Sequence, residues 1–295
     1  MTVQVVAATP AGTAAATFTL TAATIPGWLR EEEMGGPRVP LTPSASVTSS
    51  RDGQIIEGLE VSGRIVIQHN NVTVRDCRVL HGDYPALYPI FIRARTGYPY
   101  PTGTLIEWSE VRGVGTYQNH TPAVYGAGGG WTLRNSNLVR VTRGALLRSG
   151  CVMESCYVRA DGVWDPVRYP DLHRSGSGIS YGADNVVRDC HFEITPEAAS
   201  GAFVMYTDGG NRNQRATIEG NYFDGGSYSL YAGDGEPTLT DHLVFRNNRF
   251  GRAGIFGAAT SYDADQRDGI NGTGNVWAAD NVYADTLAPV RPEWH

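Results

Sequence analysis

Three aspartates share a setting that could do acid–base chemistry. Asp184, Asp208 and Asp234 each follow a tyrosine-bearing strand pattern by two or three residues: Tyr181-Gly-Ala-Asp, Tyr206-Thr-Asp and Tyr231-Ala-Gly-Asp. Hydrolysis of a glycosidic bond needs two carboxyl groups facing one sugar, about 5 to 9.5 Å apart. Matching loop positions on neighbouring chain turns would supply that spacing, so these three form a candidate carboxylate row, with Glu236 close behind. The competing reading is that Asp beside Gly builds turns. A second constellation lies in the stretch 161–174, where Trp164, Asp165, Asp171, His173 and Arg174 mix ring, charge and imidazole as sugar-binding loops do. Lyase chemistry needs a base beside a carboxylate-bearing carbon. Lys never occurs, so Arg143, Arg148 or Arg174 would have to serve.

Other chemistries find less support. Asp263, Asp265 and Asp268 lack the spacing of an EF-hand loop. No Cys-x-x-Cys pair occurs, so no zinc site is expected, and no motif calls for a cofactor. The net charge of −6 argues against a nucleic-acid partner.

A ring recurs before each aspartate. Tyr125, Tyr181, Tyr206, Tyr231 and Phe256 stand at nearly the same place in a second repeated strand, which precedes a shared pattern. Facing outward, they would make a strip suited to stacking on sugars; facing inward, they would be an aromatic stack in a core corner.

That shared pattern organises the chain. A hexapeptide of the form apolar, charged, small, small or polar, any, apolar starts at Ile56, Val74, Ile106, Leu133, Met153, Val187, Ile218, Phe245 and Trp277. The copies begin roughly 18 to 34 residues apart, a solenoid period. The first and sixth columns are apolar and should stack into a continuous core. The second column alternates in sign: Glu57, Arg75, Glu107, Arg134, Glu154, Arg188, Glu219, Arg246. Stacked strands lie about 4.8 Å apart, so this column predicts an outward ion-pair ladder. Each exposed pair would contribute about 0.5 kcal/mol, and its larger effect is on register. The fourth column is Leu59, Cys77, Ser109, Ser136, Cys156, Cys190, Asn221, Asn248 and Asp280, which suits an inward corner of small or hydrogen-bonding side chains. Three of the four cysteines therefore read as buried free thiols.

The domain reading follows. Residues 1–50 form a strand and short-helix segment that caps the first coil or attaches it to something larger; 51–286 form about nine coils; 287–295 are a tail. Insertions are expected at 82–104, 112–122, 159–177, 193–201, 207–215, 232–242 and 257–275, on one face. Residues 1–24 lack the basic start of a secretory signal peptide, and they contain no apolar run long enough to span a membrane.

The repeat resembles an all-β, right-handed parallel β-helix of the pectate-lyase-like kind over about 80% of the chain. Taken with the absent Lys and the short segment before the coils, the whole resembles minor tail proteins and tailspikes of actinobacterial phages. That resemblance implies a place in the phage virion tail, contact with other tail proteins and with host cell-wall polysaccharide, and a homotrimer, although no coiled-coil segment is present. It would place glycan contacts on Tyr125, Tyr181, Tyr206, Tyr231, Trp164, Asp165, His173 and Arg174. Polysaccharide hydrolysis or cleavage on the same coils, and a purely architectural role, are the alternatives.

Overall fold

The computed structural model describes residues 2–9, 12–19, 34–82, 88–115, 121–163, 167, 174–195, 199–206, 212–234, 240–261 and 274–294. The chain forms a parallel β-helix. Its three long walls contain nine, ten and ten strands among the described residues, each paired in parallel with its counterpart one coil away. Thr2–Thr9 and Gly12–Thr19 form a separate antiparallel hairpin. The short helix expected over 25–33 lies outside the described residues.

The hexapeptide accounts for one corner of every coil. Its first two columns lie in the nine-stranded wall, where Glu57, Arg75, Glu107, Arg134, Glu154, Arg188, Glu219 and Arg246 follow one another in unbroken register. Within that row the charges gather two by two. Arg75 meets Glu57 at 2.7 Å, Arg134 meets Glu107 at 2.7 Å, Arg188 meets Glu154 at 3.0 Å and Arg246 meets Glu219 at 2.6 Å. In each pair a glutamate takes the arginine of the following coil.

The third column turns the chain out of this wall. Asp76, Trp108, Asn135, Ser155, Asp189 and Asn247 all adopt a left-handed backbone, with φ between 47 and 53°. Gly58 and Gly220 hold the same position at φ 69 and 66°. The left-handed turn aims the next residue inward, into the fourth column. There Ser109 N donates to Ser136 Oγ, Cys190 N to Asn221 Oδ1, Asn221 N to Asn248 Oδ1 and Asn248 N to Asn281 Oδ1. The last coil departs from the sequence alignment. Phe250 pairs with Tyr283, not Val282, so one extra residue enters that corner. Asn281 then takes the inward place expected for Asp280, and Asp280 Oδ1 accepts from Asn247 N instead.

The sixth column continues into the second wall, whose inward residues fill the core. Phe192 and Phe223 stack at 5.3 Å, and Phe223 meets Phe250 at 5.6 Å. All four cysteines are free and buried, and burial pushes the Cys151 thiol up to about 11. They fill space in the core.

Coil pairing reaches beyond both expected limits of 51 and 286. Thr42–Ser44 and Val47–Thr48 already pair with Leu59–Ser62 and Ile65–Ile67. At the other end Glu293–Trp294 pairs with Gly257–Ser261, and Val290 is buried. The stretch 82–104, expected to be an insertion, contributes the wall strand Ile90–Ile92.

Residues 34–42 run along the outside as a strap. Met34 packs against Val139 and Tyr157, and Asn137 Nδ2 donates to Gly35 O. Further along, the Arg38 guanidinium lies over Trp108 at 4.6 Å and grips Asp76 through Nε and Nη2 at 2.9 and 2.7 Å. Hydrogen bonding from Arg38 holds the Asp76 carboxyl below its ordinary range. A depressed carboxyl contributes stability above its unfolded pKa of about 3.9 and loses it as pH falls through the lower folded value. Strap protection against hydrogen exchange should therefore fall in that acid window. Asp76→Asn should weaken protection at neutral pH and remove the acid step, and an unchanged step in that variant would assign it to another carboxyl.

Candidate functional site

The outer side of the third wall combines rings and guanidinium groups. In Val124–Gly126 the pattern is buried, half-buried, buried. Val124 therefore points into the core and Tyr125 outward, by the two-residue period of a strand. Register places Val66, Phe91, Tyr125, Leu146, Gly178, Val204, Tyr231 and Thr260 in one outward column. Towards its C-terminal end this column is closed over, since Val204 is fully buried. Phe91, Tyr125 and Leu146 remain partly open.

Around Tyr125 the aromatic surface is continuous. Tyr88 stacks on Tyr125 with centroids 4.7 Å apart and lies 4.7 Å from Phe91. Phe91 and Tyr125 lie nearly parallel at 6.2 Å. Two residues beyond this column stand Arg93 and Arg148. Arg93 sits 5.9 Å from the Phe91 ring. The Arg148 guanidinium lies 3.6 Å from the Tyr181 ring and 5.6 Å from that of Tyr125, and its Nη2 donates to Tyr125 Oη at 2.9 Å. Neither arginine forms an ion pair with a described carboxylate. Such a surface offers flat apolar faces for pyranose C–H groups, edged by donors for hydroxyl or acidic substituents.

The predicted ring strip is only partly assembled. Tyr125 and Tyr231 share the outward column; Tyr231 is half-buried with Tyr228 edge-on at 5.7 Å. These two are not core rings. Tyr181 stands three residues beyond Gly178 and is 39% exposed, and Tyr206 stands two beyond Val204, so neither belongs to the column. The strip fails because the rings do not share one register: Tyr181 and Tyr206 stand three and two residues beyond the column that holds Tyr125 and Tyr231.

Two members of the predicted carboxylate row, Asp184 and Asp234, stand on different sheets. Asp184 sits at the end of a short three-stranded sheet and makes a two-pronged ion pair with Arg215, at 2.7 and 3.0 Å. This hydrogen bonding lowers its pKa and engages both its oxygens. Asp234, in contrast, pairs its backbone with Tyr206 in the third wall. Asp208, Trp164, Asp165 and His173 lie outside the described residues. Arg174 is only 5% exposed, a side chain buried in the wall and not an open contact.

The second wall carries the grouping that the sequence did not disclose. Tyr157, His191 and Tyr222 are stacked register partners on its outer side, 5.2 and 4.6 Å apart. Two residues on, Arg159, Glu193 and Asp224 form the neighbouring column. Together with Asp161 they line a groove of about 220 Å³. Glu193 accepts from Tyr157 Oη at 2.9 Å and binds His191 Nε2 at 2.8 Å. The His191 contact is the main cause of its lowered pKa. Asp224 accepts from Tyr222 Oη at 3.2 Å and from Ala253 N at 2.8 Å. Burial beside Asp224 raises the Tyr222 phenol. Column five of the hexapeptide (Tyr157, His191, Tyr222) was the available signal. No group of three metal-ligating side chains occurs among the described residues.

No known family's sequence pattern matches this chain, and no curated protein matches it. Among solved structures it is similar to a double-mutant tailspike protein of E. coli bacteriophage HK620 in complex with pentasaccharide, at 12% identity and a TM-score of 0.45. The match takes in 86% of this chain and 56% of that one, so this chain spans little more than half the tailspike's length.

Proposed function

We propose that this chain is a phage tail component that binds host cell-surface glycan along the third wall of a rigid β-helix. The observation that carries this reading is the outward surface of Tyr88, Phe91 and Tyr125 with Arg148 at its edge. Phe91 and Tyr125 stand on backbone paired with coils on both sides, so little ordering of these two rings is needed on binding. An actinobacterial host fits the Lys-free composition, and attachment through the N-terminal hairpin fits its separation from the three walls.

The test is co-sedimentation with purified actinobacterial cell-wall polysaccharide. Tyr125→Ala and Arg148→Gln should each weaken retention about tenfold, the equivalent of about 1.4 kcal/mol for a lost ring or cation contact. Retention unaffected by both variants would refute the assignment to this wall.

The second-wall groove favours a further reading, glycan hydrolysis, because Glu193 and Asp224 are register partners one coil apart. Release of reducing ends in the same incubation, abolished by Glu193→Gln or Asp224→Asn, would establish it. Retention without release would leave binding as the sole activity.

A further inference from the structure

A cavity of about 550 Å³ lies where the second and third walls meet in the first coils, lined by Ser46, Ser62, Arg64, Leu80, His81 and Val114. Its origin is legible in the register. His81 ends the strand Arg78–His81, and its partner on the following coil is Gly113. On the preceding coil Ser62 pairs with Leu80, which brings Gly63 beside His81. Two glycines thus flank His81, and beside Gly63 the place of a side chain is taken by the Ser46 hydroxyl.

Two polar groups in this space lack a partner among the described residues. His81 is 5% exposed, and its Nε2 is buried without a hydrogen-bond partner. Burial lowers its pKa to about 4, so the ring is neutral near pH 7 and offers one donor and one acceptor. Arg64 also lines the cavity, and no described residue hydrogen-bonds or ion-pairs its guanidinium. Leaving a buried polar atom unpaired is costly, and a ligand supplying the missing partner would recover that cost. Leu80 and Val114 give an apolar surface beside these groups. A guanidinium, a neutral imidazole and serine hydroxyls around an apolar surface match a pyranose ring that carries one carboxylate.

We propose that this cavity binds a single uronate unit, its carboxylate on Arg64 and its hydroxyls on His81 and the serines. The site shares no lining residue with the aromatic wall and does not rest on the function proposed for it.

The test titrates the full chain with galacturonate, galactose and acetate by calorimetry, while the His81 ring signals are followed by NMR. Galacturonate should bind with Kd below about 1 mM and shift the His81 signals. Galactose and acetate should each bind at least about tenfold more weakly. Arg64→Gln and His81→Gln should each weaken galacturonate at least about tenfold. Should the His81 variant fold poorly, Val114→Phe, which narrows the cavity from its rim, should weaken binding in its place. Galactose or acetate equal to galacturonate would overturn the proposal, as would binding that ignores the variants. No heat and an unmoved His81 would identify a water-filled void and overturn it as well.

Discussion

Asn248→Ala should destabilise the solenoid by about 3 kcal/mol, because one side chain holds three coils together. Asn248 is fully buried. Its Nδ2 donates to Ile218 O at 2.9 Å and to Asn281 Oδ1 at 2.8 Å. Its Oδ1 accepts from Asn221 N at 3.0 Å and from Asn221 Nδ2 at 3.1 Å. Truncation orphans a carbonyl on the preceding coil and a backbone N–H beside it. Each orphaned buried group costs about 1–3 kcal/mol. Asn248→Asp is the informative companion. It keeps the acceptor for Asn221 N but loses the donor to Ile218 O, and it introduces a charge that burial disfavours. Its loss should grow as pH rises through the carboxyl's elevated pKa, whereas that of Asn248→Ala should not vary with pH. Urea denaturation at pH 5 and pH 8 separates the two. Equal, pH-independent losses would mean that water reaches this corner.

The same row shows why the fold was readable from sequence. In a solenoid each structural position recurs in every coil, so a requirement stated weakly by one residue is stated nine times by the column. The alternation from Glu57 to Arg246 and the run Asn221, Asn248 are such columns, and their registers are unbroken in the walls. Features lacking a column were not readable. Phe91 lies in a strand with no hexapeptide beside it, within a stretch that reads as an insertion. Arg38 reaches Asp76 across 38 residues with no repeat to announce the contact. The extra residue at Asn281 hides because Asp280 fits the alignment equally well by type. The candidate sites suffered most. They depend on outward positions and on corner loops, where each coil differs from the next; Glu193 and Asp224 each stand one residue past the sixth column, so their register was legible but no recurring residue type marked them.

Phe223→Ala should have the largest effect of any single truncation considered, about 3–5 kcal/mol, and its consequence should be uneven along the axis. Phe223 is fully buried between Phe192 and Phe250 and also touches Phe203 at 6.0 Å. Removing it leaves a ring-sized apolar void with large neighbours on both sides that have little room to collapse inward. Phe223→Leu refills most of that volume and should cost well under half as much. In a repeat fold stability is the sum of coil terms and of interfaces between neighbours. A void at this level therefore weakens the interfaces with the two neighbouring coils and leaves the coils around Val74 and Ile106 untouched. Hydrogen exchange should show lost protection in strands such as Tyr222–Gly225 and Val244–Arg246 while Thr73–Arg75 keeps its wild-type rate. The Tyr88–Phe91–Tyr125 surface lies on the untouched side, so glycan retention at moderate denaturant should survive in Phe223→Ala after the C-terminal coils have opened. The Glu193 groove lies at the weakened interface, and any hydrolytic activity should be lost first. Uniform loss of protection along the chain would show instead that the coils unfold as one cooperative unit, and the two sites would then fail together.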